Sequence, residues 1–148
     1  MLNIVYAIVG AIFMVVMALF AFLKGGPHER LGAAAYLLAW FASLVMQEMQ
    51  GFRGMPFSVF LIDTALLLTF VGLAWRSRAS WPIWASGLQL VAVMGHLMVL
   101  TGQKVPLASL YTVTNFISYL IIICIGVGTF WAWQERKAEA EFALGRNS

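Results

Sequence analysis

The 148-residue chain has few charged residues and almost no cysteine. Only 10% of its residues are charged, whereas 62% are hydrophobic, and the mean hydropathy is +0.89. This composition excludes a separate soluble domain of ordinary size. The single cysteine, Cys124, excludes an intramolecular disulfide and gives no indication of a redox compartment.

Five apolar segments fill most of the chain, and each approaches the roughly 20 residues that a ~30 Å hydrocarbon layer requires. They are Leu2–Leu23, Leu31–Gln50, Phe57–Trp75, Trp81–Leu100 and about Leu107–Trp133. The second is the weakest, because its apolar run stops at Met46. The fifth is long enough to tilt or to project beyond the membrane. The sequence therefore predicts an all-α integral membrane protein with five transmembrane helices.

The first segment predicts a retained span and not a cleavable signal peptide. Residues 1–3 supply no basic region, and the apolar run that follows is longer than the usual 7–15 residues of a signal peptide. Its polar residues, Asn3 and Tyr6, lie near one end. We therefore expect helix 1 at the periphery of a bundle formed by helices 2–5.

The nine basic residues are divided unequally between the two sides of a five-span chain. One side receives Lys24, Arg30, Arg76, Arg78, Arg136, Lys137 and Arg146, and the other receives Arg53 and Lys104. The positive-inside rule then places the N-terminus outside and the C-terminus in the cytoplasm. The outer loops are predicted at Gln47–Pro56 and Thr101–Pro106. The pI of 9.4 follows from this topology and does not indicate a nucleic-acid partner.

The inner side is predicted to carry the aromatic belt and a helical tail. Amphipathic indoles favour the membrane interface, and those expected there are Trp75, Trp81, Trp84, Trp131 and Trp133. Gly25-Gly26-Pro27 predicts a tight turn. The domain prediction is a single transmembrane bundle over 1–133 and a cytoplasmic tail over 134–148, helical as far as Gly145.

Polar side chains inside the predicted spans follow helical spacing, which places them on single faces. They are Tyr36, Trp40, Ser43, Gln47 and Gln50 on the second span, Asp63 on the third, Ser86, Gln89 and His96 on the fourth, and Thr112, Asn115 and Tyr119 on the fifth. At ~1.5 Å per residue, Asp63, His96 and Asn115 share the outer third of the membrane. Such groups are costly in lipid and normally face other helices or water.

These stripes predict one intramembrane polar cluster that opens to the outer side. Its members are Asp63, Gln89, His96, Asn115, Tyr119, Ser43 and Gln47, with Glu48 and Arg53 at the pocket mouth. One interpretation is a structural lock, because interhelical hydrogen bonds often join membrane helices. Another is a proton relay between Asp63 and His96, since carboxylate and imidazole pairs mark proton pathways.

A cofactor is a further interpretation of the same residues. His96 could ligate haem or another tetrapyrrole, although His28 lies on the opposite side of the membrane and cannot be its second ligand. Met46, Met49, Met55, Met94 and Met98 could offer thioethers to Cu(I), but methionines more often fill gaps between helices. No nucleophile, paired carboxylates or phosphate-binding loop is recognisable, so we expect no enzyme.

The leading functional prediction is a non-enzymatic accessory or structural subunit of a larger bacterial inner-membrane complex, respiratory, photosynthetic or secretory. The alternative is a small oligomeric proton-coupled transporter or channel that uses Asp63 and His96. In both cases the partners are the lipid bilayer and other membrane subunits or further copies of the chain. Bacterial origin is inferred from the compact length, the charge asymmetry and the lack of an organelle-targeting segment.

Overall fold

The computed structural model describes the backbone of residues 2–147; the side chains of residues 2, 3, 47, 48, 50–56, 107, 108 and 111 are outside the description. The helices are α1 (Leu2–Lys24), α2 (Pro27–Arg76), α3 (Trp81–Leu100) and α4 (Leu107–Arg146). Five segments are long and apolar enough to cross a membrane: Ile4–Lys24, Pro27–Met46, Phe57–Arg76, Trp81–Leu100 and Thr112–Arg146. The prediction of an all-helical protein with five potential spans is confirmed.

Helix α2 contains two of these spans. We call Pro27–Met46 its first limb and Phe57–Arg76 its second limb. Gly32 of the first limb and Phe70 of the second both lie against the indole of Trp81. In a straight helix these two residues would be about 57 Å apart. The helical path therefore reverses direction between the limbs, which form two separate passes.

The structure differs from the predicted outer loop at Gln47–Pro56, because helical backbone continues through this region. The segment contains Gly51, Gly54 and Pro56, and helices bend most sharply at glycine and proline. Proline also removes a backbone hydrogen bond from the helical ladder. A bend within helical turns thus replaces the loop that the sequence predicted.

The other predicted turns lie where the helices end. Gly25 and Gly26 separate α1 from α2, and the N–H of Gly26 donates to Oε2 of Glu29 over 3.0 Å. This bond and Pro27 at the first helical position both favour a helix start here. Residues 101–106 connect α3 to α4 and include Gly102, whose φ of +80° is readily adopted only by glycine.

The buried core is formed by one face of each helix. Its members are Met14, Met17 and Ala21 of α1, Ala33, Tyr36, Leu66, Phe70 and Leu73 of α2, Trp81, Ala85 and Ala92 of α3, and Ile117, Ile121, Ile122 and Ile125 of α4. Helix α1 packs against α4 and α2, and α3 packs against α2 and α4. Most other side chains of α1 are exposed, as suits a lipid-facing surface; its peripheral place stays a prediction.

Helix α4 is much longer than a bilayer is thick. Its 40 residues extend over about 60 Å, roughly twice the hydrocarbon thickness. The residues from Gln134 to Arg146 are exposed and include all the charged residues of this helix. The end of α4 therefore projects from the apolar part of the chain without a break in the helix.

Candidate functional site

Asp63 and His96 lie in direct contact between the second limb of α2 and helix α3. The Nε2 atom of His96 is 2.9 Å from Oδ2 of Asp63, and the two side chains are only 12% and 16% exposed. The two helices run antiparallel, and a helical side chain tilts toward the N-terminus of its own helix. Asp63 thereby reaches along α3 in the direction of His96.

Gln89 of α3 also contacts Asp63, at its backbone. Its side chain is buried, and Nε2 donates to the backbone carbonyl of Asp63 over 3.2 Å. Helical carbonyls point toward the C-terminus, so Gln89 approaches Asp63 from the opposite direction to His96. Gln89 and His96 are seven residues apart, which is about 10 Å along α3. This spacing lets one contact the carbonyl of Asp63 and the other its carboxylate. We call Asp63, Gln89 and His96 the Asp63 site.

The contact between His96 and Asp63 is close but is not an aligned hydrogen bond. Within the part of the chain that the structure describes, the buried Nε2 of His96 has no hydrogen-bond partner with good geometry, despite the 2.9 Å separation. The 2.9 Å separation is nevertheless short enough for electrostatic attraction or for proton transfer. The pair can therefore act as an electrostatic contact between helices or exchange a proton.

The potential metal ligands near His96 include the carboxylate of Asp63. Among the described residues, no three His, Cys, Asp or Glu side chains come together as a metal centre. Ligation of a tetrapyrrole by His96 would use a ring nitrogen, and Nε2 faces the carboxylate of Asp63. Met94 and Met98 are about half exposed on α3.

The remaining predicted site residues are dispersed. Tyr119 faces α1, where its ring packs edge-on against Phe13 with centroids 6.0 Å apart. Asn115 is exposed, and Ser43 is half-buried on the first limb. The predicted contributions of Gln47, Glu48 and Arg53 lie outside the described side chains. The structure thus brings together Asp63, Gln89 and His96, whereas Tyr119 contacts α1 and the side chain of Asn115 is exposed.

A second polar contact, which the sequence did not predict, lies near the opposite ends of the same helices. The buried carboxylate of Glu29 accepts a hydrogen bond from Nε1 of Trp81 over 3.1 Å. Its other oxygen accepts the N–H of Gly26. The predicted aromatic belt included Trp81, but this indole is only 4% exposed, because its polar N–H finds an acceptor inside the protein.

The indole of Trp81 fits between two glycines on different helices. A Cβ added at Gly32 would lie 2.4 Å from the ring of Trp81, and one added at Gly128 would lie 2.2 Å from it. Phe70 packs edge-on against the same ring with centroids 6.2 Å apart. Trp81 therefore joins both limbs of α2 to α3 and α4. We call Glu29, Gly32, Phe70, Trp81 and Gly128 the Trp81 site.

A cavity of about 600 Å³ lies beside the Trp81 site. Its wall includes Glu29, Arg78, Cys124, Trp131 and Glu135. The signal that could have found this region is the position of Glu29, three residues after Gly26 and next to Pro27, which is typical of a residue that caps a helix start. The sequence does not reveal that a tryptophan 52 residues later completes the contact.

Comparisons with protein families, with characterised proteins and with solved structures give no significant match to this chain.

Proposed function

We propose that the chain is a non-enzymatic structural subunit of a larger membrane assembly, in which the Asp63 site locks the transmembrane helices together. The observation that carries this proposal is that polar side chains within the spans form hydrogen bonds between helices. Glu29 bonds Trp81, Gln89 bonds the carbonyl of Asp63, and Tyr36 donates to the carbonyl of Ser118 over 3.3 Å. Each of these contacts joins different spans, as expected of groups that stabilise helix packing.

The composition of the outer surface also supports a subunit role. The five apolar segments leave large aliphatic and aromatic side chains exposed along α1, α2, α3 and α4. In a membrane this surface contacts lipid or other transmembrane helices. The excess of basic residues on one side of the spans fits insertion into a bacterial inner membrane with the C-terminus in the cytoplasm.

The second candidate function is proton-coupled transport by an oligomer of this chain. The specific observation in its favour is the 2.9 Å contact between the imidazole of His96 and the carboxylate of Asp63. Such a pair can pass a proton between two groups within a membrane. A transport role requires protonation of the pair to alter the passage of a substrate, whereas a lock requires only that the contact persists.

The double substitution Asp63→Asn and His96→Gln separates these functions. It preserves hydrogen-bonding groups of similar size but removes titration from both positions. For a structural subunit, we expect partner chains at a fixed ratio in native mass spectrometry of both wild type and variant. Liposomes containing either form should show no pH-driven flux. Asn115→Ala is the matched control, because it removes an exposed amide of a span.

Two results would contradict the subunit proposal. The first is a homo-oligomer without partner chains in gently extracted native membranes. The second is a pH-dependent flux in liposomes that the control retains and the double variant loses. Both together would establish the transport function instead.

A further inference from the structure

Three basic side chains lie together where α1 ends against α4, and two of them lie over the ring of one tryptophan. Nζ of Lys24 lies 5.2 Å from the centroid of Trp133, and Nζ of Lys137 lies 4.5 Å from the same centroid. Arg136 donates from its guanidinium to the backbone carbonyl of Lys24. We call Lys24, Trp133, Arg136 and Lys137 the Trp133 cluster. Two helices contribute to it, so its geometry depends on the packing of α1 against α4.

The groove beside the cluster is lined by three basic residues and by no acidic one. It has a volume of about 330 Å³ and is lined by Leu23, Lys24, Trp133, Arg136, Lys137 and Ala140. Glu139 and Glu141 follow Arg136 and Lys137 by one helical turn, but among the described side chains neither forms an ion pair with the cluster. The two lysine ammonium groups lie within about 10 Å of one another, close to the ~8 Å screening length at physiological salt. A bound anion would relieve their repulsion.

The cluster lies at the end of a predicted membrane span, where the headgroups of a bilayer would be. Lys24 is the last residue of the span Ile4–Lys24, and indoles such as Trp133 favour the headgroup level. Leu23 is 73% exposed, and Phe130, which packs edge-on against Trp133, is 46% exposed. An apolar surface therefore continues directly from the cationic groove, as an acyl chain beneath a charged headgroup requires.

We propose that the Trp133 cluster binds the phosphate of an anionic glycerophospholipid. The ammonium groups of Lys24 and Lys137 and the guanidinium of Arg136 contact the phosphate oxygens, since cationic donors form strong hydrogen bonds to phosphate. The acyl chains lie along the exposed apolar surface beside Leu23 and Phe130. Basic pockets between transmembrane helices are suited to anionic headgroups. The proposal is independent of the role of the Asp63 site.

Lipid titration monitored by native mass spectrometry of the full chain tests this site. The probes are phosphatidylglycerol, phosphatidylcholine of the same acyl chains, and inorganic phosphate. We expect phosphatidylglycerol to bind at least tenfold more tightly than phosphatidylcholine. Inorganic phosphate at the same concentration should not displace the lipid. The combined substitution Lys24→Gln, Arg136→Gln and Lys137→Gln should weaken phosphatidylglycerol binding about a hundredfold, at roughly fivefold for each basic residue near the surface.

The matched control is Arg76→Gln, which removes a basic residue from the end of α2, outside the groove, and should leave the affinity within twofold of wild type. Lys137 is exposed on α4, so Lys137→Gln alone should not disturb folding and should weaken binding about fivefold. The test therefore does not depend on folding of the triple variant. Equal binding of the two lipids, an unchanged affinity in both the triple and the single variant, or displacement by equal inorganic phosphate would overturn the proposal.

Discussion

The Asp63 site joins the second limb of α2 to α3, whereas the Trp81 site joins those two segments and also the first limb and α4, and the two sites do so in different ways. At the Trp81 site, a large ring is enclosed by glycines and its N–H is satisfied by a buried carboxylate. At the Asp63 site, the two ionisable side chains retain some exposure and meet without an aligned hydrogen bond. Close packing dominates at the Trp81 site, whereas polar contacts dominate at the Asp63 site. Substitutions at the Trp81 site should therefore lower the free energy of unfolding more.

The largest loss of stability should follow from filling the space beside the indole. In Gly128→Ala the new methyl would overlap Trp81, and overpacking of this kind costs about 1–3 kcal/mol. Gly126→Ala, two residues away on α4, meets open space and should gain up to about 1 kcal/mol from helix propensity. Unfolding in mixed micelles by increasing SDS measures both. Equal effects of the two substitutions would show that the fit around Trp81 contributes little.

Removal of the buried carboxylate should have the next largest effect. Glu29→Ala leaves the N–H groups of Trp81 and Gly26 without their acceptors, and a buried unsatisfied donor costs about 1–3 kcal/mol. Glu29→Gln keeps one acceptor oxygen and should lose less than half as much. The free energies of unfolding of both variants test this order. A glutamine variant less stable than the alanine variant would contradict it.

The Asp63 site should respond more weakly to loss of its buried amide. Gln89→Leu removes the hydrogen bond to the carbonyl of Asp63, and interhelical hydrogen bonds in membranes contribute about 0.6–2 kcal/mol. Thr101→Val removes an exposed hydroxyl that bonds its own helix and serves as the control. Should Gln89→Leu destabilise the protein more than Gly128→Ala, the contrast between the two sites would be reversed.

The smallest effect is expected at the hydroxyl of Tyr36, which joins the first limb to α4. Tyr36→Phe deletes the donor to the carbonyl of Ser118, a 3.3 Å bond, and should cost no more than about 1 kcal/mol. Tyr6→Phe changes an exposed residue of α1 and should have no measurable effect. A difference between the two variants in SDS unfolding gives the contribution of this bond. No difference would mean that the ring of Tyr36 contributes through packing alone.

The sequence allowed the spans and part of the Asp63 site to be predicted. Apolar length locates membrane helices because the bilayer imposes it, and the fourth span was predicted with the bounds that α3 has. The spacing of Gln89 and His96 on one helical face, with one acid on the preceding span, was also visible. These residues meet once the third and fourth spans pack antiparallel, an arrangement that a short connection favours.

The Trp81 site could not be predicted, because its partners come from distant parts of the sequence. A tryptophan at the start of a span ordinarily indicates the membrane interface, and Glu29 resembles any charge beside a turn. Whether the glycines face one ring depends on the rotation of each helix about its axis, which hydropathy does not determine. The bend within α2 was missed for a related reason, since glycine and proline are common to loops and to bent helices.

The composition of the Trp81 site has a consequence for the order in which the protein is made. Glu29, Gly32 and Phe70 leave the ribosome before Trp81, and Gly128 leaves it later still. After three spans have been synthesised, the carboxylate of Glu29 has its local bond to Gly26 but lacks its tryptophan donor. That donor arrives at the start of the fourth span, so until then the nascent chain has a polar group exposed between its early helices. The space around the indole closes only later, when Gly128 arrives with the fifth span.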